Sequence, residues 1–259
     1  MVQRQQRYHV CGEVLEYHDF KSLVHPNWLN DKIINAYLFV LRSQCNRSDV
    51  NHVYIIPSYM AVLWDAGRFK SWMIREIELA LFKWILMPIN VTNNHWILLV
   101  ADVQQMSVSI LDSMNTRNGL SYVAKWKKFM QNRAKIVGEL DGEWKLGHLK
   151  SAQQDDGNSC GPFVLLNALA VTREILLDSL SQEHALLMRK FVFSTLLKSA
   201  VKPPGQRTKC DMPGCLQPGR SSAWVACDVC GRWCHFNCVA LKRKPKREYL
   251  CPICTAQYR

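Results

Sequence analysis

No stretch of this sequence is long and apolar enough to cross a bilayer. The longest apolar run, around Trp96 to Ala101, falls far short of the ~20 residues a spanning helix needs. The first ten residues, MVQRQQRYHV, lack the apolar centre of a secretory signal. No membrane partner is therefore expected, and eleven cysteines in an unsecreted chain call for reduced thiols and metal rather than disulfides. Acidic residues are scarce at one end only: residues 201–259 hold 3 Asp+Glu against 11 Lys+Arg, whereas residues 1–200 hold 18 against 22. A basic end can meet nucleic acid or an acidic protein surface, but it also simply confers solubility. Specific nucleic-acid binding is not expected.

What is present is a globular composition, 48% hydrophobic and 21% charged. At 259 residues there is room for one ordinary domain and a small one. Eight of the eleven cysteines follow residue 209, and Lys202-Pro203-Pro204-Gly205 cannot continue a helix. The expected division is a first domain over 1–200, a linker over 201–209 and a small domain over 210–259.

Within the first domain, Asn27 or Asn30 can cap a helix from about Asp31 to Arg42, with Ile33, Ile34, Tyr37, Leu38 and Leu41 on one face. Trp28 stands just before it. Strands are expected at Val53–Ile56, Trp84–Ile89, His95–Val103 and Ser107–Asp112, and Trp64 and Trp72 are expected in the core. Residues 113–135 and 183–199 have helical spacing, with weak strands between 136 and 149.

Two features carry chemistry. Asp155-Asp156-Gly157-Asn158 is a turn, and the apolar run after Pro162 is a buried helix, so Cys160 falls at a helix amino terminus. Unpaired backbone N–H groups and the helix dipole favour a thiolate there. The hairpin formed by the strands from His95 and to Asp112 brings those two residues back to one sheet edge, where a carboxylate can orient an imidazole. A cysteine hydrolase needs a thiolate, an imidazole, a group to orient it and donors for the oxyanion. Cys160, His95 and Asp112 can fill the first three roles. The backbone N–H of Cys160 and the side-chain amide of Gln154 can fill the last.

The order His95-Trp96, Asp112-Ser113, then Gln154 six residues before Cys160-Gly161, resembles the SUMO-protease family (sentrin-specific or ubiquitin-like-protein-specific proteases). WLND at 28–31 also matches that family's early helix entry. The resemblance covers roughly residues 10–200. It implies an α+β, papain-like cysteine protease of the SUMO-protease type, with Cys160, His95 and Asp112 as triad, Gln154 in the oxyanion hole and no cofactor in catalysis. It further implies that Trp28 and Trp96 border a narrow tunnel over a Gly-Gly tail, which excludes side chains, and that Asp31 can pair with a basic residue of the modifier. One departure is Ser159, where the family usually has Asp.

After the linker stand Cys210-x4-Cys215, Cys227-x2-Cys230, His235-x2-Cys238 and Cys251-x2-Cys254, eight ligands suited to two structural Zn²⁺ ions. Four Cys, one His and three Cys, with Trp233 two before the His, resemble a PHD finger. That resemblance implies a cross-brace, in which Cys210, Cys215, His235 and Cys238 hold one metal and Cys227, Cys230, Cys251 and Cys254 the other. It also implies that Trp224 and Trp233 stand where methyl-lysine readers build their cage. Cys234 is left over as a packing residue.

The expected function is a thiol protease or isopeptidase cutting after the Gly-Gly end of SUMO or a related modifier, directed to chromatin by the finger. The alternative is an inactive chromatin-binding adaptor. Ubiquitin-like conjugates are the expected partners, histone tails a second class, and the nucleus the expected compartment, with the cytoplasm as the other.

Overall fold

The computed structural model describes residues 7–46, 52–68, 74–116, 119–200, 210–212, 215, 223–228, 232–245 and 249–257. The expected core residue Trp72, the linker over 201–209 and Cys230 lie outside them.

One five-stranded sheet organises the chain. Val53–Ile55 (β3), Trp84–Val91 (β4), His95–Asp102 (β5), Ser107–Leu111 (β6) and Lys145–Leu146 (β7) lie side by side in that order. The inner pairs, β4 with β5 and β5 with β6, are antiparallel, and both outer pairs are parallel. A short hairpin, Tyr8–Val10 (β1) with Glu13–Leu15 (β2), and the helix Tyr17–Lys21 (α1) precede it.

Both faces of the sheet are covered. Trp96, Leu98 and Val100 of β5 enter one core with Asp31–Cys45 (α2), Cys160–Arg173 (α5) and Gln182–Ser199 (α6). Ile97, Leu99 and Ala101 enter a second core with Tyr59–Asp65 (α3) and Leu120–Val137 (α4). A strand buried on both sides has no polar face, which is why this stretch reads as an unbroken apolar run. The fold is mixed α/β.

Two boundaries differ from the expectation. Helix α4 begins at Leu120, not 113, because the backbone and side chains of 113–116 are used to hold Asp112 and Gln154. The weak strands between 136 and 149 reduce to β7, after Gly138 closes α4 in a left-handed turn at φ 78°. Asn30, rather than Asn27, caps α2, its side chain accepting from the Ile33 N–H at 3.0 Å.

Beyond residue 209, Trp224–Ala226 (β8) and Trp233–His235 (β9) pair antiparallel, and Pro252–Gln257 (α7) follows. This part packs against the rest of the chain. Cys227, Cys251, Ile253 and Cys254 share the second core with Tyr59, Met60 and Leu63 of α3. The Tyr59 hydroxyl donates to the Asp211 carbonyl at 3.2 Å. The Arg232 guanidinium lies 4.3 Å from the Tyr59 ring centre and 3.9 Å from the Asp31 carboxylate. No helix among the described residues is long and apolar enough to cross a membrane.

Candidate active site

The ladder between β5 and β6 sets the first contact. Its register places Leu111 opposite Leu98, so Asp112 lies one step past the last pair and diagonal to His95. The His95 Nε2 and the Asp112 Oδ1 meet at 2.6 Å, both residues buried. Asp112 accepts three further bonds: from the Met114 N–H at 2.9 Å, the Thr116 N–H at 2.8 Å and the Thr116 hydroxyl at 2.6 Å. Burial works to raise the Asp112 carboxyl, but these donors prevail and hold it below the usual carboxylate range.

The other partner comes from α5. Cys160 is its first residue, buried, with a backbone N–H that has no acceptor within the helix. Gly161 follows because a Cβ there would come within 2.9 Å of Leu29 Cβ. The His95 Nδ1 has no hydrogen-bond partner among the described residues, and the nearby Cys160 sulfur acts on the ring electrostatically. Burial pulls the His95 imidazole down, but Asp112 and the Cys160 sulfur outweigh it and carry the ring up to about 9.

That shift has a definite sign. A histidine raised from 6.5 to about 9 contributes stability that is fully present below pH 6.5 and lost as pH rises through about 9. An NMR titration of the His95 ring is expected to find its midpoint near 9. In Asp112→Asn, which removes the charge and keeps the shape, the midpoint should fall by about 1–3 pH units. An unchanged midpoint would show that Asp112 does not hold the ring's proton.

Gln154 is anchored next to these groups. Its backbone N–H donates to the Ser113 carbonyl at 2.9 Å, and its Oε1 accepts from the Ser113 hydroxyl at 2.7 Å. Its Nε2 donates to the Asp156 carbonyl, which leaves the second amide hydrogen available. Ser159 is fully buried, and its hydroxyl donates to Asp156 Oδ2 at 2.7 Å. Asp156 also accepts from the N–H groups of Asn158 and Ser159, so it, not the residue before Cys160, supplies the loop's carboxylate.

The two tryptophans separate. Trp28 is 53% exposed, and its indole N–H donates to the Gly157 carbonyl at 3.0 Å, across the turn that leads to Cys160. Trp96 is buried, and its indole N–H donates to the Leu29 carbonyl at 2.9 Å. Because β5 alternates into a covered face, Trp96 holds the backbone beside Trp28 from within the core. Asp31, expected to meet a basic residue of a partner, already has Arg232 beside it, with half of its side chain still exposed. Thr116, Asp156 and Arg189 were not singled out by sequence. Only the Asx-type turn DDGNS carried a signal for one of them, Asp156.

Beyond residue 209 the sulfurs gather into two clusters. Cys210, Cys215, His235 and Cys238 bring their ligand atoms within 4.8 Å of one another, as do Cys227, Cys251 and Cys254. In the first cluster, Cys215 Sγ is 3.1 Å from His235 Nδ1 and 3.6 Å from Cys238 Sγ. Tetrahedral zinc with bonds of about 2.3 Å to sulfur and about 2.0 Å to nitrogen sets donors roughly 3.5–3.8 Å apart, so the residues fit the ion. Backbone N–H groups of His235 and Cys251 point at Cys210 Sγ and Cys227 Sγ. Cys234 is buried opposite Val225. Trp224 and Trp233 share a face of the β8–β9 pair, and the Trp224 ring centre lies 3.9 Å from that of His235.

Comparison with known proteins places this geometry in a wider set. A model described as "Ulp1 protease family, C-terminal catalytic domain" matches residues 27–201. Ubiquitin-like-specific protease 1 of Saccharomyces cerevisiae is 29% identical over 191 residues, covering 71% of this chain and 30% of that protein. Sentrin-specific protease 2 of Homo sapiens is 25% identical over 187 residues, covering 69% of this chain and 31% of that protein. The chain thus spans about a third of the length of these relatives. Among solved structures, SUMO protease Ulp1 with its catalytic cysteine oxidised to a sulfenic acid superposes with a TM-score of 0.61 at 26% identity, covering 71% of this chain and 84% of that one. The C-terminal Ulp1 protease domain in complex with Smt3, the yeast ortholog of SUMO, shares the fold with a TM-score of 0.65 at 23% identity, covering 76% of this chain and 89% of that one.

Proposed function

The chain belongs to the Ulp1 protease family of cysteine proteases, and on that premise we propose that it cleaves peptide or isopeptide bonds after the Gly-Gly end of SUMO or a related ubiquitin-like modifier. The observation that carries this reading is the His95 ring, held by Asp112 on Nε2 and near enough to the Cys160 sulfur for the sulfur to help raise the ring's pKa. A ring that keeps its proton to about pH 9 is the counter-charge a thiolate needs.

The chemistry follows in two acyl transfers. The Cys160 thiolate attacks the carbonyl carbon of the second glycine, and the oxyanion draws on the Cys160 N–H and the Gln154 amide. His95 gives its proton to the departing amine, leaving a thioester. The neutral ring then takes a proton from water, whose oxygen attacks the thioester and releases the carboxylate and the sulfur. Trp28, exposed above Gly157, is the wall that admits glycine and excludes a Cβ. Labelling by a ubiquitin-like vinyl sulfone, with the adduct mapped to Cys160, tests the reading. A panel of such probes without any adduct would overturn it and leave the inactive adaptor.

Residues 210–259 form, in this proposal, a zinc module of PHD type that binds two structural ions and directs the protease to chromatin in the nucleus. The two ligand clusters, one buried and one partly buried, and the cross-brace order support it. A trimethylammonium between Trp224 and Trp233 would gain roughly 1–2 kcal/mol of cation–π energy. Trimethyl-lysine histone-tail peptides are therefore expected to bind about 10-fold more weakly to Trp233→Ala, by fluorescence anisotropy. Equal binding by both proteins would remove the tail-reading part.

A further inference from the structure

Arg189 is an arginine with almost no access to water, and the active-site chemistry above does not use it. It is 4% exposed, on the second turn of α6. Its hydrogen-bond partners are three main-chain carbonyls. Nη1 donates to Ser22 O at 3.1 Å and Asn27 O at 2.9 Å, and Nη2 donates to Asn158 O at 2.9 Å. Nε has no partner among the described residues. Burying a guanidinium against neutral carbonyls is costly, and a core could fill this volume with apolar atoms at less cost.

The carbonyls belong to two separate segments. Ser22 and Asn27 lie on the loop that ends at Trp28, and Asn158 lies two residues before Cys160. One guanidinium therefore ties the wall of the cleft to the loop that presents the sulfur. The planar fork of five donors can span three acceptors at fixed angles, which a lysine ammonium cannot. A second tie crosses the same gap, from the Trp28 indole N–H to the Gly157 carbonyl. Helix α6 grips the sulfur loop once more at its start, where Gln182 Nε2 donates to Asp156 Oδ2 at 2.9 Å and to Ser159 Oγ at 3.1 Å. The charges that face Arg189 are Asp156 and the Cys160 sulfur; burial pulls its guanidinium down from the usual arginine range and these two pull it back.

We propose that Arg189 is a positioning residue of the active site, fixing the Trp28 loop to the Cys160 loop so that the cleft keeps the width of a glycine backbone. This rests on the protease reading above. It acts through Trp28 and the 157–159 turn, not on substrate.

The experiment compares wild type, Arg189→Lys and Arg189→Ala. Three readouts are taken: turnover of peptide amides ending in Gly-Gly and in Gly-Ala, alkylation of Cys160 by iodoacetamide, and hydrogen exchange of the Trp28 indole N–H. In Arg189→Lys, kcat/KM on the Gly-Gly amide is expected to fall about 10²-fold, mostly through KM, as for a misplacement of about 1 Å. The preference for Gly-Gly over Gly-Ala shrinks and Trp28 exchange speeds up, while Cys160 alkylation stays within about 2-fold. Added guanidinium restores part of the turnover to Arg189→Ala. Should that variant fail to fold, the lysine variant alone decides. Turnover and alkylation falling in parallel, with the Gly-Gly preference intact, would overturn the proposal, as would a lysine variant equal to wild type. A wild type that cleaves neither amide overturns the protease reading instead; the Trp28 exchange rate then still reports whether Arg189 holds the two loops together.

Discussion

Cys160→Ser is expected to lower turnover of a Gly-Gly amide by about 10⁶-fold, the scale seen when a nucleophile is removed from a triad. Labelling by a ubiquitin-like vinyl sulfone should vanish with it. The reason is specific to this site. A serine hydroxyl needs a neutral imidazole to take its proton, whereas Asp112 still favours the protonated ring once the sulfur's share of that pull is gone. The serine variant would thus carry a poor nucleophile beside a base whose proton Asp112 helps retain. Its stability should change little, because oxygen replaces sulfur in a space already 3% exposed. Removing His95 as well should cost almost nothing more, since the groups act as a unit. Both are checked by active-site titration and thermal melts. A serine variant that keeps one-hundredth of the wild-type rate would sink the assignment of Cys160 as nucleophile.

Stripping metal should have the second largest effect, and it should reach the protease. The protein is expected to release about two zinc ions per chain, and Cys227→Ser about one, measured with a chromophoric chelator. Structural zinc contributes on the order of 10 kcal/mol or more per site, so the module unfolds without it. Its unfolding would take Ile253, Cys251 and Cys254 away from Tyr59, Met60 and Leu63 and free Arg232 from the Tyr59 ring. A loss of roughly 3 kcal/mol at that contact lowers the melting temperature of the remaining fold by about 6–12 °C for a chain of this size. Released zinc with an unchanged protease transition would mean that the contact contributes nothing to stability.

How far these residues could be read from sequence depended on the length scale of the signal. The meeting of His95 and Asp112 was legible because a short turn fixes an antiparallel register, and a register fixes neighbours. Cys160 was legible as the first residue of α5, since turn formers precede it and an apolar run follows. The start of α4 was misjudged because helical spacing says nothing of what a buried carboxylate requires. Thr116 and Met114 must leave the helix to donate to Asp112. Which core Trp96 enters was illegible for a related reason: an apolar run on a two-faced sheet looks the same on either side. Arg189 and the Tyr59–Arg232 contact join residues far apart in the chain, and no local pattern marks them.

The shared second core has a practical corollary for anyone who cuts the chain. Ending it near residue 200, where sequence alone would draw the line, would uncover Tyr59, Met60 and Leu63 on α3, which are 7%, 0% and 0% exposed in the intact fold. A contiguous greasy patch of that kind drives self-association. The shortened protease should sediment as oligomers or precipitate on concentration, while the 259-residue chain stays monodisperse.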